Sequence, residues 1–351
     1  MWRKGLMEIN VCSSCGGKVE FSPQDKALKC VNCGNIYPIE YKQQVVKHPI
    51  MDYSVSAHLD AWHKENRAYK CKVCGAQVTF NKYDIATNCQ YCHTSSLMPL
   101  KDLPGFKPEK VIPFKIDKNR AKDEFKSRVL KRKFLPNDFR KNLPTTDMGA
   151  TYLSAFNFEC FVSASYKGRQ RISSTERDRN GRTRTVTSYR YFSGNIEKQF
   201  DNLVVEASDK INQDEIASIL PYDFSESYDY DNKFIKGYNV GYYNQTIAEA
   251  QEVAKQDALH QVEQAIRRKY SSIDSLTVNP TYSNIKYNYT LLPAYFVNFS
   301  YKNKPYINVM NGQTGAIGGK LPKSPIKITL FVLMILLVLG LPILFILLAG
   351  G

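Results

Sequence analysis

Residues 150–166 alternate between apolar and polar with period two, so that Tyr152, Phe156, Phe158, Cys160, Val162, Ala164 and Tyr166 fall on one face. That spacing predicts a strand with one side buried. It also makes Cys160 a core residue rather than a nucleophile, since nothing near it in sequence resembles a base. Further strands are predicted at 111–116, at 199–206 and through 284–310, where Lys302-Asn303-Lys304 would turn a hairpin. Elsewhere the period lengthens to that of a helix. Asp117 can cap a helix over 118–133 with Ala121, Phe125 and Val129 inward, and 214–220 forms a short helix stopped by Pro221. The segment 246–270 is the clearest amphipathic one, with Ile247, Ala250, Val253, Ala254, Ala258, Val262 and Ile266 on one stripe. Val55, Leu59 and Trp62 predict a connector helix within 41–69.

The last stretch breaks both periods. From Ile328 to Ala349 there is no charge, and as a helix the run would extend roughly 33 Å, the thickness of a bilayer core. It predicts a C-terminal membrane anchor. Lys320, Lys323 and Lys327 precede it, which places the rest of the chain on the cytoplasmic side. The first ten residues hold no apolar run long enough for a secretion signal.

Two cysteine quartets carry the strongest chemistry. Cys12 and Cys15 are followed by Cys30 and Cys33, and Cys71 and Cys74 by Cys89 and Cys92 at the same spacing. Gly16 matches Gly75, Val19 matches Val78 and Phe21 matches Phe80, the mark of one small module built twice. Paired CxxC turns suit a tetrahedral ion, and a zinc held by four thiolates has no position left for water or substrate. Two structural Zn²⁺ ions are therefore expected, with disulfides or iron as alternative fillings. A reducing compartment disfavours the disulfides. His93, which stands where three knuckles have glycine, is the alternative ligand at the fourth. With so few apolar residues per module, metal binding would supply most of the folding free energy.

Charge adds a partner class. The chain carries 48 basic against 33 acidic residues, a net charge of +15, which suggests an anionic partner, either nucleic acid or a membrane surface. The basic face of 118–133 is one candidate contact. The sharper one is a hairpin turned at Asn180-Gly181 and studded with Arg169, Arg171, Arg177, Arg179, Arg182 and Arg184. An acidic run, 222–231, is expected to pair within the molecule. If nucleic acid is the partner, Phe80 and Tyr91 could stack on bases. Phosphate-loop, HExxH, GxSxG, dinucleotide-fold and zinc-deaminase patterns are absent from the sequence, which removes the common enzyme classes.

The cysteine quartets, Val111-Ile-Pro-Phe-Lys-Ile116, Tyr152-Leu-Ser-Ala-Phe156, Leu291-Leu-Pro-Ala-Tyr295, Asn311-Gly-Gln-Thr-Gly315 and the apolar tail, in that order, resemble the bacterial membrane-bound TFIIB-type zinc-ribbon proteins. That resemblance implies a non-enzymatic scaffold in envelope stress. It would work with a second small membrane protein, an SPFH or bactofilin-like protein and the phage-shock protein PspA. The expected fold is α+β: two tandem zinc ribbons (1–40 and 70–100) joined by a helical connector (41–69), then a linker (101–109). A basic α+β domain with antiparallel strands (110–319, divisible into two subdomains) and a transmembrane anchor (320–351) would follow. The expected contacts are the lipid bilayer through 328–349, anionic lipid and membrane-associated proteins, with nucleic acid as the alternative.

Overall fold

In the computed structural model, described residues are 11–44, 47–49, 66–81, 107–143, 148–177, 183–208, 213–243 and 245–349, with 88–89, 91–92, 94–100 and 211. In chain order the strands are β1 (Val19–Ser22), β2 (Ala27–Cys30), β3 (Ile36–Tyr37), β4 (His48–Pro49), β5 (Asn66–Cys71), β6 (Gln77–Asn81), β7 (Leu97–Pro99) and β8 (Lys110–Val111). Then come β9 (Met148–Arg177), β10 (Thr183–Glu206), β11 (Tyr228–Asp229), β12 (Asn239–Gly241), β13 (Ile273–Tyr301), β14 (Lys304–Asn311) and β15 (Ile317–Gly319). The helices are α1 (Lys118–Leu130), α2 (Asn137–Lys141), α3 (Gln213–Ile219), α4 (Ile247–Lys269) and α5 (Pro325–Ala349).

Three very long strands organise the body. β9 lies between β10 and β13, antiparallel to both. Strands of this length twist, and register shifts at Phe200/Leu203 and Ser283/Lys286 mark irregularities where a strand bends and its local twist increases. Their alternation sorts side chains onto two faces. Phe156, Phe158, Cys160, Val162 and Ala164 face the apolar stripe of α4, all in one buried cluster. Near the base of the sheet the opposite face is buried too, because Leu153, Ala155, Val204 and Leu292 pack with Ile216 and Ile219 of α3. The segments 153–158 and 292–299, which echo each other in sequence, come from neighbouring strands, with Leu292 opposite Leu153.

The two ribbons meet this base differently and join different core clusters. β1, β2 and β3 form a separate sheet whose Val19, Phe21 and Leu28 join the α4-side core, Phe21 meeting Phe234 edge-on at 5.7 Å. β5, β6 and β7 instead continue the main sheet through β12, and Ala76, Val78 and Tyr91 join the core on the other side.

Local signals are realised at the helix starts. Asp117 accepts hydrogen bonds from the amides of Asn119 (2.9 Å) and Arg120 (3.1 Å), and Thr246 with Glu249 forms a reciprocal capping box. Gln24 of the first ribbon also donates to Asp117, at 2.7 Å. Although partial burial opposes it, these donors hold the Asp117 carboxyl below the usual aspartate range. A depressed folded-state value stabilises the fold above the unfolded pKa and is lost as pH falls through the folded one. Asp117→Ala is therefore expected to cost about 1 kcal/mol at neutral pH. The gap from the parent protein should close below about pH 4, as read by urea unfolding at several pH values.

Two expectations are corrected. Strand dominates, at 45% against 23% helix, so the body is a mostly β structure rather than the expected α+β domain. Two helices are long, α4 at 23 and α5 at 25 residues, but three strands alone run 30, 24 and 29 residues. The second correction concerns the transmembrane anchor and the single-pass membrane location. Among the described residues no helix is long and apolar enough to cross a membrane. Within α5 the continuous run of described uncharged side chains, Ile328 to Val338, spans roughly 16 Å, about half a bilayer core. The connector helix with Val55, Leu59 and Trp62, and the turn at Asn180-Gly181, lie outside the described residues.

Candidate metal centres and a basic sheet face

Each CxxC pair sits on a tight knuckle. Gly16 donates to the Cys12 carbonyl at 2.8 Å, Gly34 to Cys30 at 3.0 Å and Gly75 to Cys71 at 3.0 Å. These glycines have φ of 69°, 75° and 71°, the left-handed region where a Cβ is disfavoured. The fourth knuckle position, His93, lies outside the described residues.

The knuckles bring four sulfurs together at each site, all within 4.8 Å of one another. Cys12 and Cys33 are 3.5 Å apart, as are Cys15 and Cys30. Cys71–Cys92 and Cys74–Cys89 are each 3.6 Å apart. A tetrahedron with Zn–S bonds of about 2.3 Å has edges near 3.8 Å, whereas a disulfide needs about 2.05 Å. Both quartets thus have the shape of a tetrathiolate zinc site. Cys12, Cys30, Cys71 and Cys89 are buried, while Cys15 and Cys33 are exposed and Cys74 and Cys92 half-buried. Tyr37 donates to the Cys12 sulfur at 3.2 Å, the main reason its thiol is pulled down to about 5. At Cys71 burial opposes ionisation, but the amides of Cys74 and Val73 still bring the thiol to about 7. Within the same quartet burial pushes the Cys74 thiol up to about 11 and raises Cys89 as well, so it is a divalent cation that would hold all four sulfurs as thiolates.

The remaining candidates are distributed as follows. Cys160 is buried, and burial pushes its thiol up, as befits a core residue. Tyr91 is buried against Phe296 and cannot stack on a base. The Phe80 side chain lies outside what is described. The acidic run does pair internally, Asp229 with Lys110 and Glu226 with Lys115, rather than with the arginine hairpin.

That hairpin splits by face. Opposed residues of an antiparallel pair share a side, and the register sets Arg171 opposite Tyr189, Arg169 opposite Tyr191 and Arg177 opposite Thr183. Arg169, Arg171 and Arg177 therefore share one face. Arg184 falls on the other, beside Glu176 at 3.6 Å. Arg179 and Arg182 lie outside the described residues. Sequence reading missed Lys167, Tyr189 and Tyr191, which join the first face through the same alternation. A groove of about 850 Å³ also gathers Lys131, Arg132 and Lys133 with Lys320 and Lys323, far apart in sequence.

The motifs behind the family resemblance converge on one packing junction. Phe114 stacks on Tyr238 at 4.4 Å and meets Tyr152 and Tyr295 edge-on, each at 5.0 Å. Gly312 donates to the Pro293 carbonyl at 2.8 Å and accepts from the amides of Lys115 and Ile116.

With this geometry in place, comparison with known proteins finds a match at residues 3–40 to the family model for Trm112p-like proteins. The chain is also 26% identical over 226 residues to the uncharacterized protein YdjG of Bacillus subtilis. That protein is a homologue of this chain. The match covers 63% of this chain and 65% of YdjG, just under two thirds of the relative's length. No solved structure matches.

Proposed function

We propose that this chain is a zinc-braced docking scaffold without catalytic activity, in which the two ribbons present contact points to protein partners. Both quartets are coordinatively closed once zinc is bound, so the ions shape surface rather than perform chemistry. The observation that carries the reading is at the knuckle tips. Val31 lies inside the Cys30–Cys33 knuckle and Val73 inside the Cys71–Cys74 knuckle, and they are 56% and 69% exposed. Val11 and Ile36 extend the apolar surface at the first site. A rigid turn that holds an aliphatic side chain in solvent suits a protein contact, because it loses little entropy on binding. The ribbons are anchored in different core clusters, the first as its own sheet and the second as an extension of the main one, which gives two separate docking points. The finer reading, with PspA and SPFH or bactofilin-like proteins as partners in envelope stress, is supported by the family resemblance and needs no membrane span in this chain.

A photo-crosslinking residue placed at position 31 or 73 in cells is expected to give discrete protein adducts, and one at exposed Lys42 none. Zinc content should stay unchanged. Adduct patterns at 31 and 73 indistinguishable from that at 42 would refute the docking role.

A further inference from the structure

The long sheet has one covered face and one open face. From Cys160 to Tyr166 the even-numbered residues of β9 lie under α4, and the partners of that face include Phe200 on β10 and Tyr282 on β13. The odd-numbered positions point the other way and with their partners are mostly polar: Ser163 and Ser165 on β9, Asn195 and Ser193 on β10, and Asn279 and Thr277 on β13, with Glu197 opposite Ser163 as one carboxylate and Phe161 as one half-buried ring. No element covers this side among the described residues. Towards the tip its character changes. Lys167, Arg169, Arg171 and Arg177 follow one another along a single strand, the first three about 6.6 Å apart. β13 leaves the sheet opposite Gln170, so β9 and β10 continue as a two-stranded arm of roughly 23 Å.

Two aromatic side chains stand beside the cations. Tyr191 is 77% exposed and Tyr189 47%, each directly across from an arginine. Arg169 lies 4.7 Å over the Tyr189 ring and is tethered by Asp274. Arg171 and Arg177 have no carboxylate partner among the described residues. Glu176, which could neutralise the arm, is on the opposite face with Arg184.

We infer that this open face binds single-stranded nucleic acid, with the line of cations tracking the phosphates and Tyr189 and Tyr191 stacking on bases. An anionic membrane or an acidic protein would also engage the cations, and tyrosine serves at both; what favours a single strand is that an exposed ring lies directly across from each of two arginines, so that phosphate and base contacts alternate along one open face. Base stacking on sheet aromatics flanked by basic residues is the general way single strands are held without sequence preference. The inference is independent of the docking role, since it involves neither knuckle nor zinc.

The test is fluorescence anisotropy of the full, zinc-loaded chain with labelled single-stranded RNA and DNA 20-mers, duplex DNA as competitor, and phosphatidylglycerol vesicles in a parallel sedimentation arm. Single strands are expected to bind more tightly than duplex, with an affinity that falls with salt. Lys167→Ser, Arg171→Ser and Arg177→Ser together should reduce the slope of log affinity against log salt by about 2, from three lost phosphate contacts. Tyr189→Ser with Tyr191→Ser should weaken binding roughly 10-fold or more with the slope unchanged, and Arg184→Ser should have little effect. All these positions are exposed or half-buried on the surface, and retained zinc and circular dichroism would show the variants folded. Equal affinity of the tyrosine variant and the parent would overturn the inference. So would vesicle binding without oligonucleotide binding.

Discussion

Replacing Cys74 and Cys89 with serine is expected to remove one of two zinc ions and to strip amide protection from β5, β6 and β7, while β9 and β13 keep theirs. Structural zinc in isolated ribbon-sized peptides is worth on the order of 10–16 kcal/mol and is their folding energy. Here the second ribbon has other support, because Ala76, Val78 and Tyr91 are buried in the body core and β6 pairs with β12. Zinc loss should therefore open the ribbon locally rather than unfold the chain, speeding exchange of its amides roughly 1,000-fold, about 4 kcal/mol of local stability. The matching change at Cys15 and Cys30 should release β1 and β2 instead, since these form their own sheet. Elemental analysis would read two zinc ions per parent chain and one per variant, and hydrogen exchange would locate the released strands. Two ions retained in either variant would show that the quartets are not the ligands. Global loss of protection would show that the ribbons are foundations of the body rather than additions to it.

The contrast between the two ribbons is invisible in sequence for a physical reason. Val78 and Phe21 look alike as apolar residues between cysteines, and an alternating pattern does not say whether the buried side meets its own small hairpin or a large sheet. The quartets themselves are fully legible, because ligand geometry dictates spacing and spacing is written in the chain. Helix starts are legible for the same reason, with Asp117 and Thr246 each committed by local chemistry. The alternation over 150–166 gives the right type of element but ends it too early: beyond Tyr166 neither side of β9 is wholly buried, so the apolar signal fades while backbone pairing with β10 continues to Arg177. Hydropathy also overstates the tail, whose composition suggests a membrane span that no described helix provides. The basic face is only half visible, since Arg169 and Arg171 stand out in sequence but Tyr189 and Tyr191 join them only through register.

Phe114→Ala is expected to have the largest effect of any single substitution outside the metal sites. Phe114 is buried among Tyr152, Tyr238 and Tyr295, drawn from three distant parts of the chain. Tyr238 in turn reaches the first ribbon, with Phe21 6.5 Å away. Truncating such a ring costs about 3–5 kcal/mol through lost burial and the cavity left behind, which would lower the thermal midpoint on the order of 10 °C. The packing is tight enough to make a second test. A Cβ added at Gly312 would come within 2.6 Å of the Phe114 ring and 3.0 Å of Pro293. Gly312→Ala should therefore destabilise the parent protein by overpacking. In the Phe114→Ala background the same methyl meets a cavity and should cost far less. The double-mutant cycle would then show a coupling of at least about 1 kcal/mol, as expected for residues in contact. Additive losses would mean that Gly312 is required for its backbone alone, and that the meeting of these motifs at Phe114 is not a packing constraint.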